Sequence, residues 1–426
     1  MSTAVHSARF AAKAVRYFTA VFAMCTAVSA SAAADPVMEW NDIARQLVVV
    51  PALTPVQQTR AMAIVHLAMH DAVSGITGDY ERYIAGMAPQ AGASPDAAAI
   101  AAAFQALRGV VGTSDFLNTK YAASLAAHGV AITDSGIGVG ESAAAAILAA
   151  RQHDGAAQAA YPYLPPDIGA AGVWAPVSSA ATAQAQLPGW GSVAPFVLRS
   201  GAQFRPEAPP ALDTERYARD YEEVMRLGAA LNSTRSNEET QIALFWRASP
   251  TALWNPLLRQ AMASRQLTLS EAARVTALFY LAAADASIAC WEAKYFYNFW
   301  RPQAAIAAGD SDGNAATAGD PAWRPLVQTA PHPEYPSGHT SNSGAMAAVL
   351  GLAFGDSPGF VIEAASPQNA GFIRYWQTFG EGVQEVIDAR VYSGLHFRTS
   401  DEAGARLGRQ VARFVMTHAL RRASRR

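Results

Sequence analysis

Lys294 and Arg301, seven residues apart in the run WEAKYFYNFWRP (291–302), are side chains whose types and spacing could do chemistry. On a continuous helix they would share one face two turns apart, with Trp291 on the same face. Pro302 would end that helix and leave Arg301 at a C-terminus, where a cation is favoured. Two cations beside aromatics suit a multiply charged oxyanion; the plainer alternative is a core helix whose charged ends reach to solvent. Two later pieces add to the first. In PSGHTSNSGAMAAVLGLAF (336–354) a Pro-Ser-Gly turn enters an apolar helix. Ser337, Gly338 and His339 then lie at a helix N-terminus, where free N–H groups and the dipole favour an anion. His339 can exchange a proton near neutral pH. In RVYSGLH (390–396), Arg390 and His396 are six apart and out of phase for one straight helix, but Gly394 allows a break that lets both converge. Three cations, an anion nest and two histidines predict a tetrahedral-oxyanion site, with one imidazole to bond the central atom and one to move protons.

K-x6-R-P, then P-S-G-H, then R-x5-H, in this order, resembles the signature of the vanadium-dependent haloperoxidases and the type-2 phosphatidic-acid and class A acid phosphatases, one superfamily with one site. The resemblance implies an all-α fold of two packed helical bundles. It implies vanadate as cofactor, with phosphate as a competing occupant, and His396 as the residue bonded to the metal. Lys294, Arg301, Ser337, Gly338, His339 and Arg390 would complete the anion site. Two positions depart from the family pattern. Ala389 stands where a serine usually precedes the arginine, and Ser400 where an aspartate often lies four residues after the last histidine; Asp401 follows one later. These departures bear on how Arg390 and His396 are oriented.

The resemblance leaves two reactions open on one set of atoms. As a haloperoxidase, the site would take hydrogen peroxide and halide and release hypohalous acid, with His339 handling protons. As a phosphatase, it would cleave phosphate monoesters, with His396 forming a phosphohistidine and His339 protonating the leaving group. Trp291 lies where chloride-oxidising members of the family place a pocket tryptophan, and His332 occupies a position commonly histidine in bromoperoxidases and phenylalanine in chloroperoxidases. The alternative for His332 is a loop histidine held between Pro331 and Pro333. Length and these neighbours favour a haloperoxidase, bromide before chloride. A non-catalytic oxyanion-binding protein ranks third, because both histidines are kept.

The elements that must position these residues read as helical throughout. Residues 1–34 have the form of a secretory signal, with Arg9, Lys13 and Arg16, an apolar run from Tyr17, and small residues to Ala34, which predicts a periplasmic or secreted protein. That run is too short to span a bilayer, and no membrane span is expected. Without the leader, 29 basic residues face 34 acidic ones, a net charge of −5, which argues against a nucleic-acid partner. Residues 35–426 then form one domain, with the three blocks between 291 and 401. Cys290 is the single cysteine after the leader, so stability must come from the core.

Within that domain, helices are expected from Trp40 to about Ser74, through 95–151 with breaks near 109–114 and 129–133, and at 214–231, 237–248, 252–263, 269–300, 370–392 and 400–420. His66 and His70, one turn apart, suggest a metal pair, but no third ligand is identifiable and buried packing histidines are the better reading. Residues 154–213 are rich in Pro, Gly and Trp and predict an ordered irregular excursion, either roofing the active site or wrapped far from it.

Overall fold

Apolar residues recurring every three to four positions, bracketed by Ser, Thr and Asp caps, set the helix boundaries. The computed structural model describes residues 35–424 apart from 51, 87–89, 91, 177–183 and 366–370, so the expected leader lies outside the described residues. The helices are α1 Pro36–Val48, α2 Pro55–Thr77, α3 Pro95–Val111, α4 Asp115–Ala127, α5 Ser135–Arg151, α6 Glu215–Leu227, α7 Asn237–Phe245, α8 Pro250–Ala263, α9 Leu269–Tyr297, α10 Pro302–Ala307, α11 Gly338–Phe354, α12 Phe379–Tyr392 and α13 Arg398–His418. Residues from Pro36 onward form one compact unit.

The longest helix, α9, is the axis of the fold. It opens on a reciprocal cap: the Thr268 hydroxyl accepts from the Glu271 N–H, and the Glu271 carboxylate accepts from the Thr268 N–H. By length and composition α9 could cross a membrane, yet 94% of its most apolar window is buried inside the protein. Helices α1, α2, α3 and α5 pack together on one side of it, and α11, α12 and α13 on the other, so the two groups share α9. Small residues bring α11 and α13 together: a Cβ on Gly408 would fall 2.1 Å from the Ser341 carbonyl oxygen. Trp254 of α8 is fully buried and donates from Nε1 to Ser343 Oγ of α11 at 2.9 Å.

The irregular excursion is clamped along the second half of α9. The buried Asp285 carboxylate accepts the N–H groups of Phe196, Val197 and Leu198 at 2.7, 2.8 and 2.9 Å. Nearer the helix end, the Gln186 carbonyl accepts from Trp291 Nε1 and the Tyr295 hydroxyl. Asn298 ends the helix in the left-handed region, φ +48°, and its side chain accepts from the Tyr163 hydroxyl at 2.8 Å.

Several expected boundaries move, each for a physical reason. The helix expected from 370 begins only at Phe379. Before it, Ile373–Trp376 (β2) pairs antiparallel with Ile362–Ala365 (β1), placing Ile362 opposite Trp376. The aromatic and β-branched IRYW run favours a ribbon that buries Trp376 against Phe245 and Trp246. Helix α7 stops at Phe245, three residues early, because the following carbonyls turn inward. His66 and His70 are packing histidines: His66 stacks on Tyr280 at 5.1 Å and accepts from Asn41, and His70 donates to the Glu81 carbonyl at 3.0 Å.

Candidate active site

The expected single helix through Lys294 and Arg301 is not what brings them together. α9 ends at Tyr297, and Arg301 lies beyond it with extended backbone, as the residue capping the N-terminus of α10. The left-handed turn at Asn298 reverses the chain before Pro302 can act, so the shared helical face is replaced by convergence across a turn. Both cations are nonetheless buried in one place. Lys294 Nζ donates to the carbonyls of Pro333 and Glu334, both at 2.8 Å, and lies 5.9 Å from the Trp291 ring. Arg301 donates from Nε to the His332 carbonyl and from Nη1 to the Leu395 carbonyl and His396 Nε2, and its Nη2 lies 2.9 Å from His332 Nδ1, which also faces the Pro333 carbonyl at 3.1 Å. His332 is therefore no free loop histidine; it is buried between Arg301 and Trp291, its ring 4.9 Å from the indole.

The second block begins α11 as expected. Ser337 caps the helix by position, yet its buried hydroxyl makes no capping bond and faces the buried Asp401 carboxyl instead. Gly338 meets the site walls with no side chain of its own: a Cβ there would come within 3.1 Å of Trp291 Cζ3 and 3.9 Å of Lys294 Cε. His339 donates from Nε2 to the Ala248 carbonyl at 3.2 Å, which leaves Nδ1 as the nitrogen with a lone pair. The third block turns as Gly394 permits. α12 ends at Tyr392, and Gly394 takes φ +74°, a conformation that a side chain would strain. A Cβ at that position would also fall 2.5 Å from the Gly228 carbonyl oxygen. This fold-back sets His396 beside Arg390. The Arg390 guanidinium donates to the Trp246 carbonyl at 3.2 Å, while its Nε has no partner among the described residues.

Sequence reasoning missed three contributors. Glu334, fully buried, accepts His396 Nδ1–H at 2.8 Å and the Phe397 N–H at 3.1 Å through Oε1. The carbonyls of Trp246 and Ala248, from the α7–α8 connection, hold Arg390 and His339; a backbone acceptor has no signature in the sequence. Glu334 did have one: a lone acid among prolines three residues before Ser337, with a serine at 400 where a carboxylate was expected. Ser400 itself bonds the backbone of that same loop, accepting the Ser337 N–H at 3.1 Å.

Burial dominates the electrostatics. It pulls Lys294 down to about 7, and Arg301 and Arg390 each to about 10. His332, His339 and His396 fall well below the ordinary histidine value, first through burial and then through the neighbouring cations. Burial raises Glu334 to about 7, and raises the Asp401 carboxyl, which lies beside Ser337 and Arg390, well above the usual range. Cations strained by desolvation, a buried hydroxyl, a guanidinium N–H without a partner among the described residues and a helix N-terminus form a donor set for a tetrahedral oxyanion. Vanadate fits that set, with His396 Nε2 as the nitrogen placed to bond a central atom.

Residues 274–425, which hold all three blocks, match the family described as the VCPO second helical-bundle domain. The fold agrees over nearly the whole chain with the crystal structure of a bacterial vanadium-dependent iodoperoxidase, at TM-score 0.76 and 25% identity, covering 92% of this chain and 97% of that one. The chain is thus similar to vanadium haloperoxidases, in sequence over its C-terminal part and in fold over nearly its whole length. A bacterial vanadium-dependent chloroperoxidase in its holo form shares the fold at TM-score 0.69 and 17% identity, covering 88% and 96% of the two chains. The vanadium chloroperoxidase of Curvularia inaequalis is 28% identical over 193 residues, 36% of this chain and 31% of that protein. The match thus spans about a third of that curated relative's length. In this chain the nine expected site residues lie together at one end of α9 and the N-terminus of α11.

Proposed function

We propose that the chain is a vanadate-dependent haloperoxidase that oxidises halide with hydrogen peroxide, bromide before chloride. The observation that carries the reading is the ring of buried donors around His396 Nε2, with His332 stacked on Trp291 beside it. The overall reaction consumes one halide, one hydrogen peroxide and one proton, and yields hypohalous acid and water. Vanadate, when bound, supplies a Lewis-acid centre that makes peroxide electrophilic toward halide without a change of metal oxidation state.

The chain's own groups do the rest. His396 Nε2 holds the anion in place. Lys294, Arg301 and Arg390 balance its charge and draw electron density away from the oxygens. The Ser337 hydroxyl and the Gly338 N–H donate to it, in a pocket where Gly338 leaves room. His339 Nδ1 is free to take a proton from incoming peroxide and to deliver it to the departing water. His332 offers a second imidazole near the same point, and Trp291 lends an apolar wall suited to a weakly hydrated halide. The leader expected at 1–34 would send this activity to the periplasm or the medium.

The test is a paired assay on protein stripped of phosphate: peroxide-dependent bromination of a dione, and hydrolysis of an aryl phosphate, each with and without orthovanadate. Bromination that needs vanadate, with negligible hydrolysis, is the expected result. Fast hydrolysis by the vanadate-free chain, inhibited by vanadate, would replace this reading with the phosphatase one. Vanadate binding with neither activity would leave an oxyanion-binding protein.

A further inference from the structure

We infer that Glu334 is the positioning residue that fixes His396 in the tautomer able to bond vanadate. The inference rests on the reading of His396 as the vanadate-bonding residue. Two hydrogen bonds from opposite sides of the ring demand the same proton placement. Arg301 Nη1 can only donate, so His396 Nε2 must present a lone pair to it at 3.1 Å. Glu334 Oε1, 2.8 Å from the other nitrogen, takes the proton of Nδ1–H. The ring is 2% exposed, so no solvent exchange helps it choose.

Glu334 is itself held rigidly. Its N–H donates to the Phe299 carbonyl at 2.9 Å, and its own carbonyl accepts Lys294 Nζ at 2.8 Å. Oε1 also accepts the Phe397 N–H at 3.1 Å, which pins the main chain next to the histidine. One residue therefore holds the lysine of the first block through its backbone and the histidine of the third through its side chain. Ser400, one turn after His396, accepts the Ser337 N–H through its carbonyl and points its hydroxyl at the Glu334 carbonyl, 3.4 Å away. The carboxylate that orients the ring thus comes from the loop before α11, and not from the helix that follows the histidine. A carboxylate partner on the remote nitrogen fixes ring orientation and makes the bonding nitrogen a better donor to an electrophilic centre.

The experiment uses the full chain with 15N-labelled histidine, in the absence of vanadate, for wild type, Glu334→Ala and Glu334→Gln. His396→Gln assigns the His396 signals, and circular dichroism confirms that each variant is folded. Wild type is expected to show His396 wholly as the Nδ1–H tautomer. Glu334→Ala is expected to lose that single tautomer and to bind orthovanadate, measured by equilibrium dialysis, roughly 10–100-fold more weakly. Glu334→Gln keeps an oxygen that can accept from Nδ1–H, so it should retain the tautomer and lose less affinity than the alanine variant. That rescue is one a space-filling role would not produce in the tautomer. A single Nδ1–H tautomer in Glu334→Ala would overturn the inference, as would a lost tautomer with vanadate affinity unchanged. Should wild type bind no vanadate, the haloperoxidase reading falls, while the tautomer comparison still decides whether Glu334 orients His396.

Discussion

Single atoms set the chemistry here, and three of them invite substitution. His396→Ala removes the nitrogen placed to bond the anion, and vanadate binding and any turnover should both vanish; retained activity would refute the site. Ser337→Ala removes a buried hydroxyl that faces the Asp401 carboxyl and makes no helix-capping bond. Its main effect should appear in the loaded site, as a loss of vanadate affinity of roughly ten-fold in equilibrium dialysis. His332→Phe takes from Arg301 Nη2 its imidazole neighbour but keeps a ring against Trp291. Bromide kcat/KM should fall by about ten-fold, the scale of one lost proton-transfer or hydrogen-bonding group, while vanadate still binds. At this scale the sequence is most legible. Lysine, arginine, histidine and the Ser-Gly turn announce themselves by type, and all nine expected residues converge. What stays hidden is main chain: the carbonyls of Trp246 and Ala248 become acceptors only because tertiary packing turns them inward.

Elements decide how those atoms are held. Trp254 of α8 fills the space behind α11 and bonds Ser343, one turn after His339. Trp254→Ala should destabilise the fold by about 3–5 kcal/mol, read from the shift of the denaturant midpoint at constant slope. Helix α2 carries an acid-sensitive pair. Burial depresses His66 to about 3 and His70 to about 4, below their unfolded value of 6.5. The unfolded chain thus binds more protons than the folded one between those limits. The stabilisation is complete above pH 6.5 and is lost as pH falls toward 4 and 3, at up to ~1.4 kcal/mol per pH unit for each histidine. His66→Phe, which keeps the stack on Tyr280, should flatten the acid limb of a stability-versus-pH curve; an unchanged limb would show that other groups control it. The helices are legible from periodicity and caps, but periodicity puts Arg301 on the wrong one. Pro302 looks like the breaker, whereas the left-handed turn at Asn298 comes first, and an asparagine in that role is one of several sequence options. The short β1–β2 ribbon escapes for a related reason: four-residue strands are specified mainly by the surface they pair with and bury.

Across the whole molecule, α9 joins both groups of helices and is also the rail on which the excursion is fastened. The sequence announces an ordered excursion but not its attachment, since three consecutive N–H groups give no hint of the carboxylate they will meet. The attachment carries the excursion to the site, where Gln186 bonds both Trp291 and the Pro331 carbonyl. Asp285→Ala would leave the N–H groups of Phe196, Val197 and Leu198 without their acceptor. We expect their hydrogen exchange to accelerate by roughly ten-fold or more, with about 2 kcal/mol lost from global stability.

The same aspartate has a consequence before the protein is folded. Between Arg274 and Glu292, α9 holds 17 residues with a single charge, Asp285, near the middle. A chain threaded unfolded across a membrane, as the proposed leader would require, offers this segment to lipid before any partner can cover it. An aspartate at the centre of a would-be span opposes insertion by about 2.5–3.5 kcal/mol. Asp285 thus fastens the excursion in the finished protein and, were the chain exported, would keep the central helix from stopping as a membrane anchor.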